Sequence, residues 1–187
     1  MAVSKSTDKW KLKKWINIYT PESLGNSVIG EMPANEEKDA VGRVIKVNMS
    51  WITNKMSHSF MIVGLKVNDV SGSAAHTSIK YIEQTYSYLH SLVRRGSSAI
   101  YTVDPVKGKD GKKIIMKLML VTSSKVATPK KKALRKALSE FTKTYASSRD
   151  CDSIVKEMIE GSMQSEGINS LRKIASVSKL EVKRLEL

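Results

Sequence analysis

The chain has 187 residues, 41% of them hydrophobic, and its 32 lysines and arginines against 18 acids leave a net charge of +14. That apolar share is enough for a core, so long disorder is excluded outside the ends. A lone cysteine, Cys151, excludes an internal disulfide, and with it a small stapled secreted scaffold.

In chain order, 1–14 reads as a basic tail rich in Lys, Ser and Thr, disordered when free in solution. Residues 15–40 read as irregular, punctuated by Pro21, Gly25, Gly30 and Pro33. Strands follow at 41–49, 60–68 and, more weakly, 73–80; Met61, Val63, Leu65 and Val67 share one face of the second. The spacing of Ile82, Tyr86, Leu89 and Val93 predicts a helix over 81–95, stopped by Arg94-Arg95-Gly96. Strands at 98–104 and 112–122 form a hairpin with Asp110-Gly111 in its turn. Thr128 as N-cap and Pro129 at the first helical position open a helix with a Leu134, Leu138, Phe141 and Tyr145 stripe. A second helix starts near Asp152 and a third, short one covers 168–174; 176–187 returns as a final strand.

These elements read as α+β in a single domain over 15–187: β-rich at 41–122 and helical at 129–174. The expected architecture is a mostly antiparallel twisted sheet closing towards a barrel, with one internal helix. The longest apolar run, 114–121, is broken by Lys117 and falls short of the about 20 residues a membrane span needs. The basic start has no apolar stretch after it, so a signal peptide is not expected. A soluble cytoplasmic protein without a membrane partner is expected, and Cys151 as a buried or idle thiol.

The charge is segregated. Residues 107–136 carry a net +10 and residues 1–20 a net +4, while 21–106 and 137–187 are each neutral. That is the footprint of a polyanion binder. In the helix opening at 128, Lys130, Lys131, Lys132, Arg135 and Lys136 cluster; the first three have no acidic partner at i+4, and Lys131–Arg135 and Lys132–Lys136 are like-charged i+4 pairs. A phosphate partner would offset that repulsion, which favours a contact face over a merely solvated one. The hairpin-tip lysines Lys107, Lys109, Lys112 and Lys113 fit a reach between RNA helices or an edge kept soluble by charge. In the tail, Lys5, Lys9, Lys11, Lys13 and Lys14 surround Trp10 and precede Trp15; Trp15 is expected to dock on the folded body. Arg94 and Arg95 fit phosphate clamping or helix-dipole complementation equally. Lys125 adds one cation before the helix.

Catalytic and metal residues are not expected. His58, His76, His90 and Cys151 have no zinc-like spacing, and no hydrolase, nucleotide-loop or dinucleotide motif occurs. No cofactor is implied.

Several stretches resemble the ribosomal S3Ae family of small-subunit proteins: Lys13-Lys14-Trp15, Pro21, Ile29-Gly30-Glu31 with Pro33-Ala34, and Val41-Gly42-Arg43-Val44. Tyr88-Leu89 leading to Ser91-Leu92-Val93-Arg94-Arg95 is similar to that family's helix end, and 131–136 to its basic helix; Glu157-Met158 with Gly161, and Glu181-Val182-Lys183, continue the match in order. Two positions depart from the pattern: Ser123-Ser124 precede Lys125 where the family has Arg-Arg, and Gly96 stands where a further Arg is typical. The length looks archaeal. The resemblance implies a non-enzymatic constituent of the small ribosomal subunit, on the platform near the messenger RNA exit. Its partners would be ribosomal RNA and neighbouring small-subunit proteins, with messenger RNA or an initiation factor as further candidates. About eight phosphate contacts would give a log–log salt slope of roughly −6 to −7. The rival readings are a free RNA-binding regulator, which would need the strand aromatics Phe60, Tyr81 and Tyr101 as a stacking platform, and a protein adaptor using Met158 and Met163 as an adaptable patch.

Overall fold

In the computed structural model, which describes Trp10 and residues 13–187, the chain is α+β around one mixed eight-stranded sheet. The strands are β1 (Lys14–Tyr19), β2 (Val28–Ala34), β3 (Val44–Asn48), β4 (Met61–Ser71), β5 (Ala74–Gln84), β6 (Ala99–Lys107), β7 (Lys113–Thr122) and β8 (Val177–Glu186). The helices are α1 (Glu37–Ala40), α2 (Met49–Thr53), α3 (Tyr86–Leu92), α4 (Thr128–Ser147), α5 (Cys151–Glu160) and α6 (Ser162–Leu171).

β5 is the branch point. One side carries antiparallel β4, with β3 beyond it. The other side is shared: β1 pairs in parallel with Ala74 to His76, and β8 antiparallel with Tyr81 to Glu83. From β8 the sheet continues through β7 to β6, and β2 lies outside β1. The sheet does not close into the expected barrel. The helical third supplies the apolar partner that barrel closure would have provided: Leu134, Leu138, Ile154, Val155 and Met163 pack on Ile100, Ile114, Met116, Leu118, Leu180 and Val182 in one buried cluster. α3 covers part of the opposite face, with Leu89 on Met119 and Val121.

Four local readings are corrected. Residues 15–40 are a β-hairpin and a short helix. Ile16, Ile18, Met32 and Ala34 point into a second apolar cluster, and Gly25 (φ 100°) and Asn26 (φ 48°) turn the chain between the strands. Pro33 is tolerated because β2 is an edge strand. The helix expected over 81–95 begins only at Tyr86, since β5 runs on to Gln84. Tyr81, Ile82 and Gln84 are all buried, so the strand is covered on both faces and shows no clean alternation. The third C-terminal helix starts at Ser162, directly after Gly161 (φ 86°) ends α5. α4 opens with Ala127, not Thr128, as its N-cap, and no side chain caps it.

Candidate nucleic-acid interface

The strand order gathers the cations. β6, β7 and β8 are aligned so that Ala99 lies opposite Val121 and Thr122 opposite Val177. The loops 93–98, 123–127 and 172–176 therefore meet at one end of the sheet. Side chains lock them there: Thr122 Oγ1 donates to the Ser98 carbonyl at 3.1 Å, Val126 N donates to Ser98 Oγ at 3.2 Å, and Ser123 N donates to the Ser176 carbonyl at 2.9 Å. Between these loops lies an open cleft of about 440 Å³ lined by Arg94, Arg95 and Lys179 with Ser91, Ser97, Ser123 and Ser178. Gly96 (φ 84°) takes the left-handed turn that brings Ser97 back, its hydroxyl donating to the Arg94 carbonyl at 2.7 Å. A side chain in place of Gly96 would be strained there.

α4 starts from the same end of the sheet but packs on the face opposite α3, so Lys125, Lys130, Lys131 and Lys132 are carried at that end without lining the cleft. Lys131 is half-buried and the other three are exposed. This helix start has no side-chain cap and no acid in its first turn, while three lysines repel its positive dipole end. An anion placed there would satisfy the lysines and the free backbone N–H groups together. Arg135 and Lys136 are exposed one turn further along, and Lys132, Lys136 and Lys143 form an outward stripe opposite Leu134 and Leu138.

The hairpin-tip lysines are a separate patch. From Ala99 to Lys107 β6 spans about 26 Å at about 3.3 Å per residue, so the tip sits at the far end from the cleft. Lys107, Lys109, Lys112 and Lys113 are exposed. The tip's backbone is pinned: Lys109 N donates to the Arg149 carbonyl at 3.0 Å, and Cys151 N donates to Asp110 Oδ2 at 3.3 Å at the start of α5. Sharing a hydrogen with the Asp110 carboxylate, whose negative charge adds to the effect, raises the Asp150 carboxyl above its ordinary value. Burial pushes the Cys151 thiol up, and Asp110 adds to it.

The N-terminal patch divides. Lys5, Lys9 and Lys11 lie outside the described residues. Lys14 is exposed at the start of β1, and Lys13 Nζ stands 3.9 Å from the Trp10 ring centre. Trp15 does not dock as expected: it belongs to β1, yet its side chain is on the outward face and the residue is 59% exposed.

Pairing separates these cations from the rest. Among the described residues the ion pairs are Lys46–Glu83 (3.7 Å), Lys117–Glu186 (2.8 Å), Arg184 with Glu83 (3.2 Å) and Glu186 (2.8 Å), and Arg149 with Glu157 (2.8 Å) and Glu166 (3.4 Å). No expected contact residue among those described is in this set. Lys117, which contributes to the basic block, is thus consumed within the sheet. Lys117 also draws the Glu186 carboxyl below the ordinary range. Conversely, Lys179, Arg172 and Lys173 were not expected. They lie in a charge-neutral third and join the cleft end only through the topology.

The rival surfaces do not assemble. Met158 and Met163 are buried. Tyr81 is buried under Arg184, Phe60 stacks on Tyr88 at 4.8 Å, and Tyr101, exposed on a strand face, has Lys183 Nζ over its ring at 5.7 Å. Among the described residues no three metal-binding side chains come together, and no helix is long and apolar enough to cross a membrane.

The ribosomal S3Ae family model matches residues 2–187. The chain belongs to that family. Relatives named small ribosomal subunit protein eS1 align over 96–100% of this chain. The one from Pyrobaculum neutrophilum is 35% identical over 187 residues, all of this chain and 84% of the relative. The one from Staphylothermus marinus is 33% identical over 180 residues, covering 96% and 85%. The one from Methanoculleus marisnigri is 29% identical over 185 residues, covering 99% and 94%. The S3Ae resemblance read from the residues is therefore correct, and the family is one of structural ribosomal proteins rather than enzymes.

Proposed function

We propose that this S3Ae chain is a structural constituent of the small ribosomal subunit in the cytoplasm, and that it grips ribosomal RNA with the cleft end of its sheet. The observation that supports the reading is that one end of the sheet carries Arg94, Arg95 and Lys179 around the cleft and Lys125, Lys130, Lys131 and Lys132 at the start of α4, none with an ion-pair partner among the described residues. RNA helices hide their base edges in a deep narrow groove, so the grip is to backbone and shape. The hairpin tip, Lys13 and Lys14 are secondary contacts, and Lys5, Lys9 and Lys11 extend the second of these. The platform side near the messenger RNA exit is the place the family resemblance implies, with neighbouring small-subunit proteins as further partners.

The test is sucrose-gradient fractionation of native lysate at low and moderately high salt, probed for this chain. Co-migration with the small subunit that survives the salt wash is expected. Retention at the top of the gradient under both conditions would overturn the proposal in favour of a free regulator or adaptor.

A further inference from the structure

β5 and β8 pair over only three residues, and beyond Gln84 the strands part. In that fork lies a cavity of about 200 Å³, closed on its far side by α5 and α6 and lined by Phe60, Tyr88, Gln84, Gln164 and Glu181 among others. It is smaller than the pockets that hold cofactors or drug-sized ligands.

The buried side-chain atoms left without a partner in its lining are acceptors. Gln84 Nε2 donates to Glu181 Oε2 at 2.8 Å, Tyr88 Oη donates to Glu181 Oε1 at 3.0 Å, and Gln164 Nε2 donates to the Met158 carbonyl at 3.0 Å. Each amide faces an acceptor, so neither can be flipped, and the free ends are the oxygens. Gln84 Oε1 and Gln164 Oε1 are buried without a partner, and Gln84 as a residue is only 8% exposed. Orphaned acceptors shut away from water are costly. Glu181 has no ion-pair partner among the described residues, although the chain is strongly basic. Burial and this carboxylate push the Tyr88 hydroxyl up to about 12. At the mouth, the half-exposed Phe60 ring lies stacked on Tyr88.

We propose that this fork is a socket for one arginine side chain from a basic segment of a partner protein. A guanidinium carries five donors and no acceptor, pairs with a carboxylate in a fixed fork geometry, and stacks on aromatic rings. That matches a cavity whose phenol donor is spent on Glu181, whose buried unpartnered atoms are acceptors, and whose entrance is aromatic. A nucleobase brings acceptors as well as donors, and RNA brings phosphates that Glu181 repels. The inference goes beyond the RNA-binding reading and does not rest on it.

The test is NMR titration of the full chain with a blocked glycyl-arginyl-glycine tripeptide, its citrulline counterpart and guanosine. The expected result is saturable shifts of the Gln84 and Gln164 side-chain amides and of the Phe60 and Tyr88 rings with the arginine peptide only. Glu181→Gln should weaken that binding by about tenfold or more, the loss expected for a charge-assisted contact. Phe60→Ala, which alters a half-exposed ring, should weaken it too, and guards against a folding defect in the first variant. No saturable shift, an equal response to citrulline, or preference for guanosine would overturn the proposal.

Discussion

Replacing Arg94, Arg95, Lys125 and Lys179 together by alanine tests which end of the molecule grips RNA. Seven cations without ion-pair partners among the described residues stand at one end of the sheet, at helix or strand termini or in the loops between. If each neutralises one phosphate, at about 0.9 released counterion apiece, the log–log salt slope is about −6. Removing four leaves three and a slope of about −3. Over a rise from about 50 to 200 mM salt, the intact protein should lose about 3 to 4 decades of affinity and the variant about 2. The assay is anisotropy of a labelled small-subunit ribosomal RNA transcript, titrated across that salt range. The comparison is the hairpin-tip variant in which Lys107, Lys109, Lys112 and Lys113 become alanine, about 26 Å away along β6 at about 3.3 Å per residue. It removes the same charge, so any difference between the two is positional. If the tip variant flattens the slope and the cleft variant leaves it unchanged, the reasoning from convergence is wrong.

Lys117→Met should leave the salt slope within error of the parent, because that lysine is spent on Glu186; anisotropy checks it. Gly64→Ala should destabilise by about 1–3 kcal/mol in urea unfolding, since its Cβ would fall 2.4 Å from the Tyr81 ring, which is itself covered by Arg184. Lys117 lowers the Glu186 carboxyl in the folded state, so this pair stabilises above the unfolded carboxylate value and the benefit is lost as pH falls through the folded one; Glu186→Gln should accordingly shift the acid-unfolding midpoint to higher pH. Burial, with Lys55 adding, lowers His58, so protonation opposes folding and stability should decline as pH drops below about 6.5; His58→Gln should flatten that part of the melting-temperature profile.

The most legible parts of the chain were those with one buried face. β7 shows its buried Ile114, Met116, Leu118 and Leu120 at every second position, and α4 shows Leu134 and Leu138 at helical spacing. Where both faces are covered, as at Tyr81 and Ile82, alternation vanishes and accidental helical spacing takes over. β1 and β2 were hidden by the Pro21, Gly25 and Pro33 around them, although Ile16 and Ile18 alternate correctly. Half of the site was visible as a charge run. Lys179 was not, because it stands alone between Ser178 and Leu180 in a charge-neutral third, and only the β7–β8 register carries it to Arg94 and Arg95.

The position of β8 bears on how the chain is made. β5 and β6 do not pair; the first five strands and the β6–β7 hairpin are hydrogen-bonded into one sheet only through β8, along eight residues of β7 and three of β5. During synthesis, which delivers strands from the N-terminal side, two partial sheets must wait with open edges until residues 177–186 emerge between them. A basic chain with exposed strand edges is a ready target for stray RNA and for aggregation. The strand that completes the sheet also brings Lys179 to the cleft, so the proposed RNA-gripping end is complete only when the two halves have been joined.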